Sequence, residues 1–138
     1  MENGVELAIS PEKVMLIAQL AKRFDAKDEV TEPDVRSNPS DDNQAAVLED
    51  HRDDPALQEM RVIIGGLNED EQIDLVALTW LGRGDHGPRD WPGLRSDAAH
   101  AHNDRTVRYL CGTPLLGDFL EQGLEALGRH LGIDELPS

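Results

Sequence analysis

The sequence is poor in the features that mark disulfide-stabilised, secreted and membrane proteins. Its 138 residues include a single cysteine, Cys111, which excludes an intramolecular disulfide and favours a reducing compartment. The longest apolar stretches, Val14–Ala21 and Leu75–Leu81, are far shorter than the roughly 20 residues that span a bilayer. The first residues have neither the basic start nor the apolar run of a signal peptide. We therefore predict a cytoplasmic protein that does not enter a membrane.

Basic residues are also scarce. Thirteen lysines and arginines stand against 28 aspartates and glutamates, which gives a net charge of −15. Because phosphate groups bind basic patches, this balance disfavours binding to a nucleic-acid backbone. The charge favours solubility, and as a sharper interpretation it favours a basic protein partner or mimicry of a nucleic acid.

The acidic residues are concentrated in the middle of the chain. Residues 25–54 carry eleven acids and three bases, whereas residues 1–24 carry three of each. Residues 25–43 contain two prolines and few large apolar side chains, so we predict a long, exposed and partly mobile acidic loop. The loop lacks the D-x-[DN]-x-[DN]-G pattern of a calcium site, and calcium binding is not predicted.

Capping residues and apolar spacing predict helices and no strand. Ser10-Pro11 and Asp54-Pro55 each combine a capping side chain with proline at the first helical position. Asn68 is followed three residues later by Glu71, which is the arrangement of a capping box. Apolar residues follow each start at helical spacing. We predict one all-α domain over residues 1–138, an irregular bundle of five or six helices with the acidic loop inside it.

Glycines and prolines predict where the other helices begin and end. We expect Gly65-Gly66 to end the second long helix and Gly82 to end the third, since glycine is common just after helices. Thr113-Pro114 should cap and begin the last and most apolar helix. The remaining predictions are a short helix from about Asp41 to Asp50, one helix from near Pro92 to about Cys111, and inward positions for Ile73, Val76, Ala77 and Trp80.

Two long runs of the sequence are similar to a known family. LNEDEQIDLVALTWLGRGD, residues 67–85, and RTVRYLCGTPLLGDFLEQGL, residues 105–124, resemble small proteobacterial proteins that are classed as a domain of unknown function. SPEKV at 10–14 and RFDAKDEVTEPD at 23–34 are similar to the same family. The resemblance implies a bacterial source, and it implies no known activity, substrate or catalytic residue.

No motif of a common catalytic or cofactor site is present. The sequence contains no G-x-S-x-G, no P-loop and no dinucleotide fingerprint, so we predict no catalytic residue and no cofactor. Asp97, His100 and Asp104 share a helix face, but no second element offers matching ligands, and a metal site is not predicted. Cys111 lies near no evident base, which favours a small buried hydrophobe over a reactive thiol.

One stretch is a candidate ligand site. The loop Gly82–Trp91 is dense in charged residues between two tryptophans, and loops of this kind often carry function. Its Arg83-Gly84-Asp85 tripeptide is interpreted as a turn, not as an adhesion motif. On the predicted helix that follows, His102, Arg105 and Tyr109 share one face and could bind an anionic ligand or equally connect helices. The candidate ligand-binding residues are therefore Arg83, Asp85, His102, Arg105 and Tyr109.

Two hypotheses for function follow. The first is a non-enzymatic protein-interaction or regulatory module with an unknown, basic partner. The second is a small anionic-ligand-binding protein or enzyme that uses the Arg, His and Tyr side chains named above. Homodimerisation is a further expectation, because the amphipathic helices present more apolar surface than one short bundle buries.

Overall fold

In the computed structural model, the described residues form six α-helices that pack together around one apolar core. The structure describes residues 7–27, 53–84 and 87–131, and none of these residues lies in a strand. A 3₁₀ turn, Pro88–Asp90, precedes the fourth helix. The prediction of an all-α fold is confirmed. The helices are α1 (Pro11–Lys27), α2 (Pro55–Gly65), α3 (Glu69–Arg83), α4 (Trp91–Ala101), α5 (Thr106–Cys111) and α6 (Leu116–Leu131).

The first three helices begin at the predicted caps. The Ser10 hydroxyl accepts a hydrogen bond from Lys13 N at 3.2 Å, and the Asp54 carboxylate accepts from Ala56 N at 2.8 Å. Asn68 and Glu71 form the predicted capping box, in which each side chain accepts the backbone N–H of the other residue. The predicted end of α2 is also confirmed, since Gly66 follows its last residue.

Helix α3 is the central element of the bundle. Every residue from Ile73 to Leu81 is buried, so the predicted inward positions are confirmed but the helix has no solvent-facing side over these residues. It packs against α6 on one side and α4 on another, while α6 also packs on α1. A helix that is apolar all round is typical of a core position.

Helix α6 approaches its neighbours at glycines. A Cβ added at Gly82 would lie 1.8 Å from the Phe119 carbonyl oxygen, and one at Gly123 would lie 2.4 Å from the Leu78 carbonyl oxygen. Gly117 makes the same close approach to Ala18 of α1, at 2.5 Å. The prediction that Gly82 ends α3 was wrong, because Gly82 lies inside the helix at its contact with α6. Helix α3 continues to Arg83, and Gly84, with a φ of 96°, follows its end.

The predicted single helix from Pro92 to Cys111 is two helices. Helix α4 ends at Ala101 and α5 begins at Thr106. Between them the Asn103 side chain accepts from Arg105 N at 2.8 Å, and the Thr106 hydroxyl accepts from Asn103 N at 3.1 Å. Such local side-chain bonds compete with helical backbone bonds, and here they turn the chain.

The start of the last helix also differs from the prediction. Thr113 does not cap α6, because its hydroxyl donates to the Tyr109 carbonyl at 2.7 Å. Leu115 lies in the left-handed region with a φ of 62°, and its N–H donates to the Asp25 carboxylate at 3.1 Å. Helix α6 therefore begins at Leu116, two residues later than expected.

The prediction of a loop from residue 25 was wrong for its first three residues. Residues 25–27 belong to α1, where Phe24 is buried and Asp25 reaches the turn before α6. The rest of the loop and the predicted helix Asp41–Asp50 lie outside the described residues. Over the ranges described, no helix has the length and hydropathy needed to cross a bilayer.

Candidate functional site

A buried carboxylate lies in the middle of the apolar helix α3. Asp74 is 0% exposed, and its Oδ2 accepts hydrogen bonds from Ala8 N and from Ile9 N, the latter at 3.2 Å. Its Oδ1 accepts from Arg95 Nε of α4 at 2.7 Å. Every buried side-chain N and O atom within the described ranges has a hydrogen-bond partner. One side chain thus holds both the segment before α1 and helix α4 against α3.

Arg95 connects the buried carboxylate to the surface. Its side chain is 31% exposed, and its Nη2 lies 3.5 Å from Asp70 Oδ1 and 3.4 Å from the Asp70 carbonyl oxygen. The hydrogen bond to Asp74 raises the pKa of Arg95 above its usual range, and Asp70 adds to this effect. The arginine is therefore cationic throughout the ordinary pH range, and its charge is opposed by two carboxylates.

This ion pair is better understood as a positional device than as a source of stability. Removing two charges from water costs several kcal/mol per ion in the interior, and the attraction between them repays it only when the geometry is good. Here the short Arg95–Asp74 bond and the two backbone donors meet that condition. The consequence is a fixed spacing between residues 8–9 and α4.

An open cleft lies between the two parts that Asp74 holds. It has a volume of about 560 Å³, within the range of ligand-binding clefts. Its apolar walls come from the segment before α1 and from the start of α4, and its polar groups come from α3 and α4. The lining residues are Leu7, Ala8, Asp70, Trp91, Pro92, Arg95 and Ser96. We treat this cleft, here called the Arg95 cleft, as the candidate functional site.

His102, the first of the predicted ligand-binding residues, is used in a contact between helices. Gln72 Nε2 donates to the Ile64 carbonyl at 2.9 Å, so its Oε1 is left to face His102 Nε2, which donates to it at 2.8 Å. The other ring nitrogen of His102 lies 3.7 Å from Glu69 Oε2. His102 therefore lies beside the beginning of α3.

Tyr109, a residue of α5, and Arg83 both lie near the C-terminal end of α3. The Tyr109 hydroxyl is buried and accepts from Trp80 Nε1 at 3.1 Å, while Arg83 is the last residue of α3 and is half-buried. Gln72 and Arg83 are eleven positions apart on α3, which places their backbones about 16 Å apart along the helix axis at about 1.5 Å per residue. His102 and Arg83 therefore lie towards opposite ends of α3.

The structure does not bring the other predicted residues to these two. The Arg105 side chain is exposed in the turn between α4 and α5, so it does not share a helix face with His102 and Tyr109. Asp85 lies outside the described residues. Ligand binding by these five residues stays a prediction.

Sequence reasoning missed Asp74 and Arg95. The available signal was an aspartate directly before the apolar run Leu75–Leu81, where the residues on both sides of it are buried. Asp70 and Asp74 are also four residues apart and so share a face. What the pattern could not reveal is the partner, because Arg95 lies on another helix.

Two further residues were considered for chemistry in the sequence, His100 as a metal ligand and Cys111 as a reactive thiol. His100 Nδ1 donates to the Ser96 carbonyl at 2.9 Å, and across the described ranges no group of three or more His, Cys, Asp or Glu side chains is placed to hold a metal ion. Cys111 is buried, and burial raises the pKa of its thiol from 9.0 to about 12. At neutral pH this thiol is protonated, so it lacks the thiolate that a nucleophile requires.

Comparison with known proteins places the chain in a family. The family model described as a protein of unknown function (DUF3775) matches residues 57–129. The chain belongs to this family. The DUF3775 match includes both long runs on which the resemblance was based, and it confirms the expected domain of unknown function; the proteobacterial source stays a prediction. Searches of curated proteins and of solved structures each gave no significant match.

The matched region contains most of the Arg95 cleft. Asp70, Asp74, Trp91 and Arg95 lie within residues 57–129, as do helices α3 to α5 and all but the first two residues of α2. The wall formed by Leu7 and Ala8 lies outside the matched residues. The family domain thus supplies the charged side of the cleft, and the segment before α1 supplies an apolar side.

Proposed function

We propose that this DUF3775 protein is a non-enzymatic interaction or regulatory module that binds a basic protein partner. The observation that carries the proposal is an open cleft lined by a highly exposed carboxylate, that of Asp70, in a chain of net charge −15. Glu69 and Asp70, at the start of α3, are 70% and 71% exposed. A surface of this kind attracts cationic partners and raises their rate of association.

The alternative function, an anionic-ligand-binding protein or enzyme, has less support. It depends on Arg83, Asp85, His102, Arg105 and Tyr109 acting together, but His102 contacts Gln72 near the beginning of α3 whereas Arg83 is the last residue of that helix. Arg95 is the cation at the cleft, but two carboxylates already oppose its charge. An added anion would therefore meet a site that is already compensated.

Two further properties complete the proposal. A single, buried and free cysteine suits a reducing compartment, so we place the protein in the cytoplasm. Homodimerisation stays a prediction, and mutual repulsion between two chains of charge −15 opposes it. Light scattering after size exclusion measures the oligomeric state directly.

Affinity capture from a bacterial lysate tests the proposal. The immobilised protein should retain basic proteins at low salt and release them at high salt, because salt screens charge–charge attraction. An unrelated acidic protein of similar net charge serves as a second bait, and proteins that it also retains are discounted because they bind any polyanion. Capture that is insensitive to salt, or no capture beyond the second bait, would contradict the proposal.

A thermal-shift screen tests the alternative in parallel. Nucleotides and organic acids should leave the melting temperature unchanged if no anionic-ligand site exists, since a ligand that binds only the folded state raises it. A clear increase with one class of anion, together with no specific protein capture, would favour the alternative instead.

A further inference from the structure

We infer that the Arg95 cleft is the place where the basic partner inserts a lysine or arginine side chain, with Asp70 as the carboxylate that meets the cation. This inference rests on the proposed function and makes it specific. It identifies one cleft, one acceptor and the chemistry of the inserted group. The occupant is an exposed basic segment of a protein, not a free metabolite.

The charged side chains at the cleft have a negative net charge. Arg95 is compensated by Asp74, with Nε and Oδ1 2.7 Å apart, and the other carboxylate oxygen of Asp74 is occupied by two backbone donors. Counting Asp70, Asp74 and Arg95, the site has a formal charge of −1. The charge that is not compensated is therefore negative, and it selects a cation.

Asp70 is the carboxylate that is available to a partner. Its contact with Arg95 is 3.5 Å long, at the limit of a hydrogen bond, and its side chain is 71% exposed. Exposed ion pairs of this kind contribute roughly 0–1 kcal/mol, so Asp70 can bond to an incoming cation at little cost. Asp74 cannot, because it is buried and its oxygens are occupied.

The shape of the cleft suits a long basic side chain. Leu7, Trp91 and Pro92 provide apolar surface beside the carboxylate, and lysine and arginine bury their aliphatic stems on such surface while the charged end remains polar. Ser96 is a further polar residue of the lining. The cleft is open to solvent and about 560 Å³ in volume, so a residue within a polypeptide can enter it.

The experiment is an NMR titration of the ¹⁵N-labelled full chain with three probes. The first probe is the blocked peptide acetyl-Leu-Lys-Ala-Arg-Leu-amide, the second replaces its Lys and Arg with Glu, and the third is inorganic phosphate. We expect the basic peptide to shift the amide signals of residues 7–8, 70 and 91–96, and the other two to leave them unchanged. Shifts of the same signals by phosphate or the acidic peptide would overturn the inference, because Arg95 would then be an anion site.

Two variants of equal charge separate the cleft from the surface in general. Asp70→Asn should weaken binding of the basic peptide about fivefold, a loss in the upper range for an exposed ion pair. Glu69→Gln is the matched control, since Glu69 is the adjacent residue, is 70% exposed and does not line the cleft. It should weaken binding by less than about twofold, through long-range charge alone. Melting temperatures confirm that both variants are folded.

The outcomes distinguish this inference from the proposed function. If both variants weaken binding equally, the peptide binds the acidic surface diffusely, and the cleft is excluded while the proposed function stands. If the basic peptide does not bind at all, the inference fails, and the salt-dependent capture decides the proposed function separately. Only cleft-centred shifts with selective loss in Asp70→Asn support the inference.

Discussion

Helix α3 has two very different contacts. Towards α6, glycines let the two backbones touch, and an added Cβ at Gly82 would lie 1.8 Å from a carbonyl oxygen. Towards α4, the contact includes an ion pair between buried Asp74 and partly exposed Arg95, and it includes an open cleft. The first contact has no room for one additional carbon atom, whereas the second keeps space and charge next to the core.

The difference separates two tasks of the same helix. The glycine contact fixes the position of α3 against α6 by close packing, because no space remains between the two backbones. The ion-pair contact keeps α4 at a distance that leaves the cleft open, and buried charges cost stability unless well bonded. We therefore expect substitutions on the α6 side to affect folding alone and substitutions on the α4 side to affect both folding and binding.

The largest effect should come from Gly82→Ala. The added methyl group would collide with the backbone of Phe119 and Gly123, which cannot rotate away as a side chain can. Overpacking of a core costs roughly 1–3 kcal/mol and occasionally more, and we expect more than about 3 kcal/mol here because the helices must separate. Urea unfolding followed by circular dichroism measures the loss.

Gly93→Ala is the control for this prediction. Gly93 lies in the first turn of α4, is exposed, and has no atom within 4 Å of an added Cβ. The same substitution should stabilise the protein there by about 0.5–1 kcal/mol, because alanine favours helix over glycine. Equal stabilities for the two variants would show that the close contact between α3 and α6 is absent in solution.

Asp74→Asn should have the second largest effect. An amide in place of the carboxylate removes the charge that Arg95 faces and cannot accept all three present hydrogen bonds. We expect a loss of about 2–3 kcal/mol, less than for a fully buried pair because Arg95 is partly exposed. Hydrogen exchange at the amides of Ala8 and Ile9 should accelerate as well, since their acceptor is weakened.

Asp97→Asn removes the same charge from an exposed position of α4 and should change stability by less than about 0.5 kcal/mol. If Asp97→Asn destabilises the protein as much as Asp74→Asn, the loss of stability comes from the change in net charge and not from the Asp74–Arg95 ion pair. Unchanged exchange at Ala8 and Ile9 in Asp74→Asn would likewise contradict the proposed role of Asp74 in holding the cleft wall.

The features predicted correctly from the sequence are local ones. The caps at Ser10, Asp54 and Asn68 involve partners within a few residues, so sequence spacing is enough to find them. The glycines 65 and 66 mark a helix end for the same reason. The apolar positions of α3 were also correct, because a core helix requires them wherever its partners lie.

The failures concern contacts between distant residues, or competition between two local options. Gly82 looks like a helix end in sequence, but its role depends on Phe119 of another helix. Asp74 and Arg95 are 21 residues apart, and no periodicity links them. The break at Asn103 had a local cause, yet the apolar spacing that continued through it favoured one long helix.

Cys111 provides a pH test of the apolar part of the molecule. Burial raises the pKa of its thiol to about 12, against 9.0 for an ordinary thiol. The unfolded chain therefore loses this proton above about pH 9 while the folded chain keeps it, so stability should fall as pH rises from about 9 towards 12. The slope approaches about 1.4 kcal/mol per pH unit.

The comparison that isolates Cys111 is the slope of stability against pH in Cys111→Ala. Other groups titrate in the same range, so only the difference between the two slopes reports the thiol. Urea unfolding at about pH 8 and about pH 10 should show a smaller loss for Cys111→Ala. Parallel slopes would mean that the thiol is exposed to solvent in the folded protein.

The smallest of these effects should come from Asn68→Ala, at the end of α3 nearest the Arg95 cleft. The substitution removes the acceptor of the Glu71 N–H, a bond of 2.8 Å, and loss of such a cap costs about 1 kcal/mol. Asn68→Asp keeps an acceptor and adds negative charge at the positive end of the helix dipole, so it should retain or exceed the original stability.

Because Asp70 lies in the first turn that this cap orders, Asn68→Ala should also weaken binding of the basic peptide, whereas Asn68→Asp should not. A loss of stability without any loss of binding would show that the cleft does not depend on the order of that turn, and the contrast between the two sides of α3 would then rest on Asp74 and Arg95 alone.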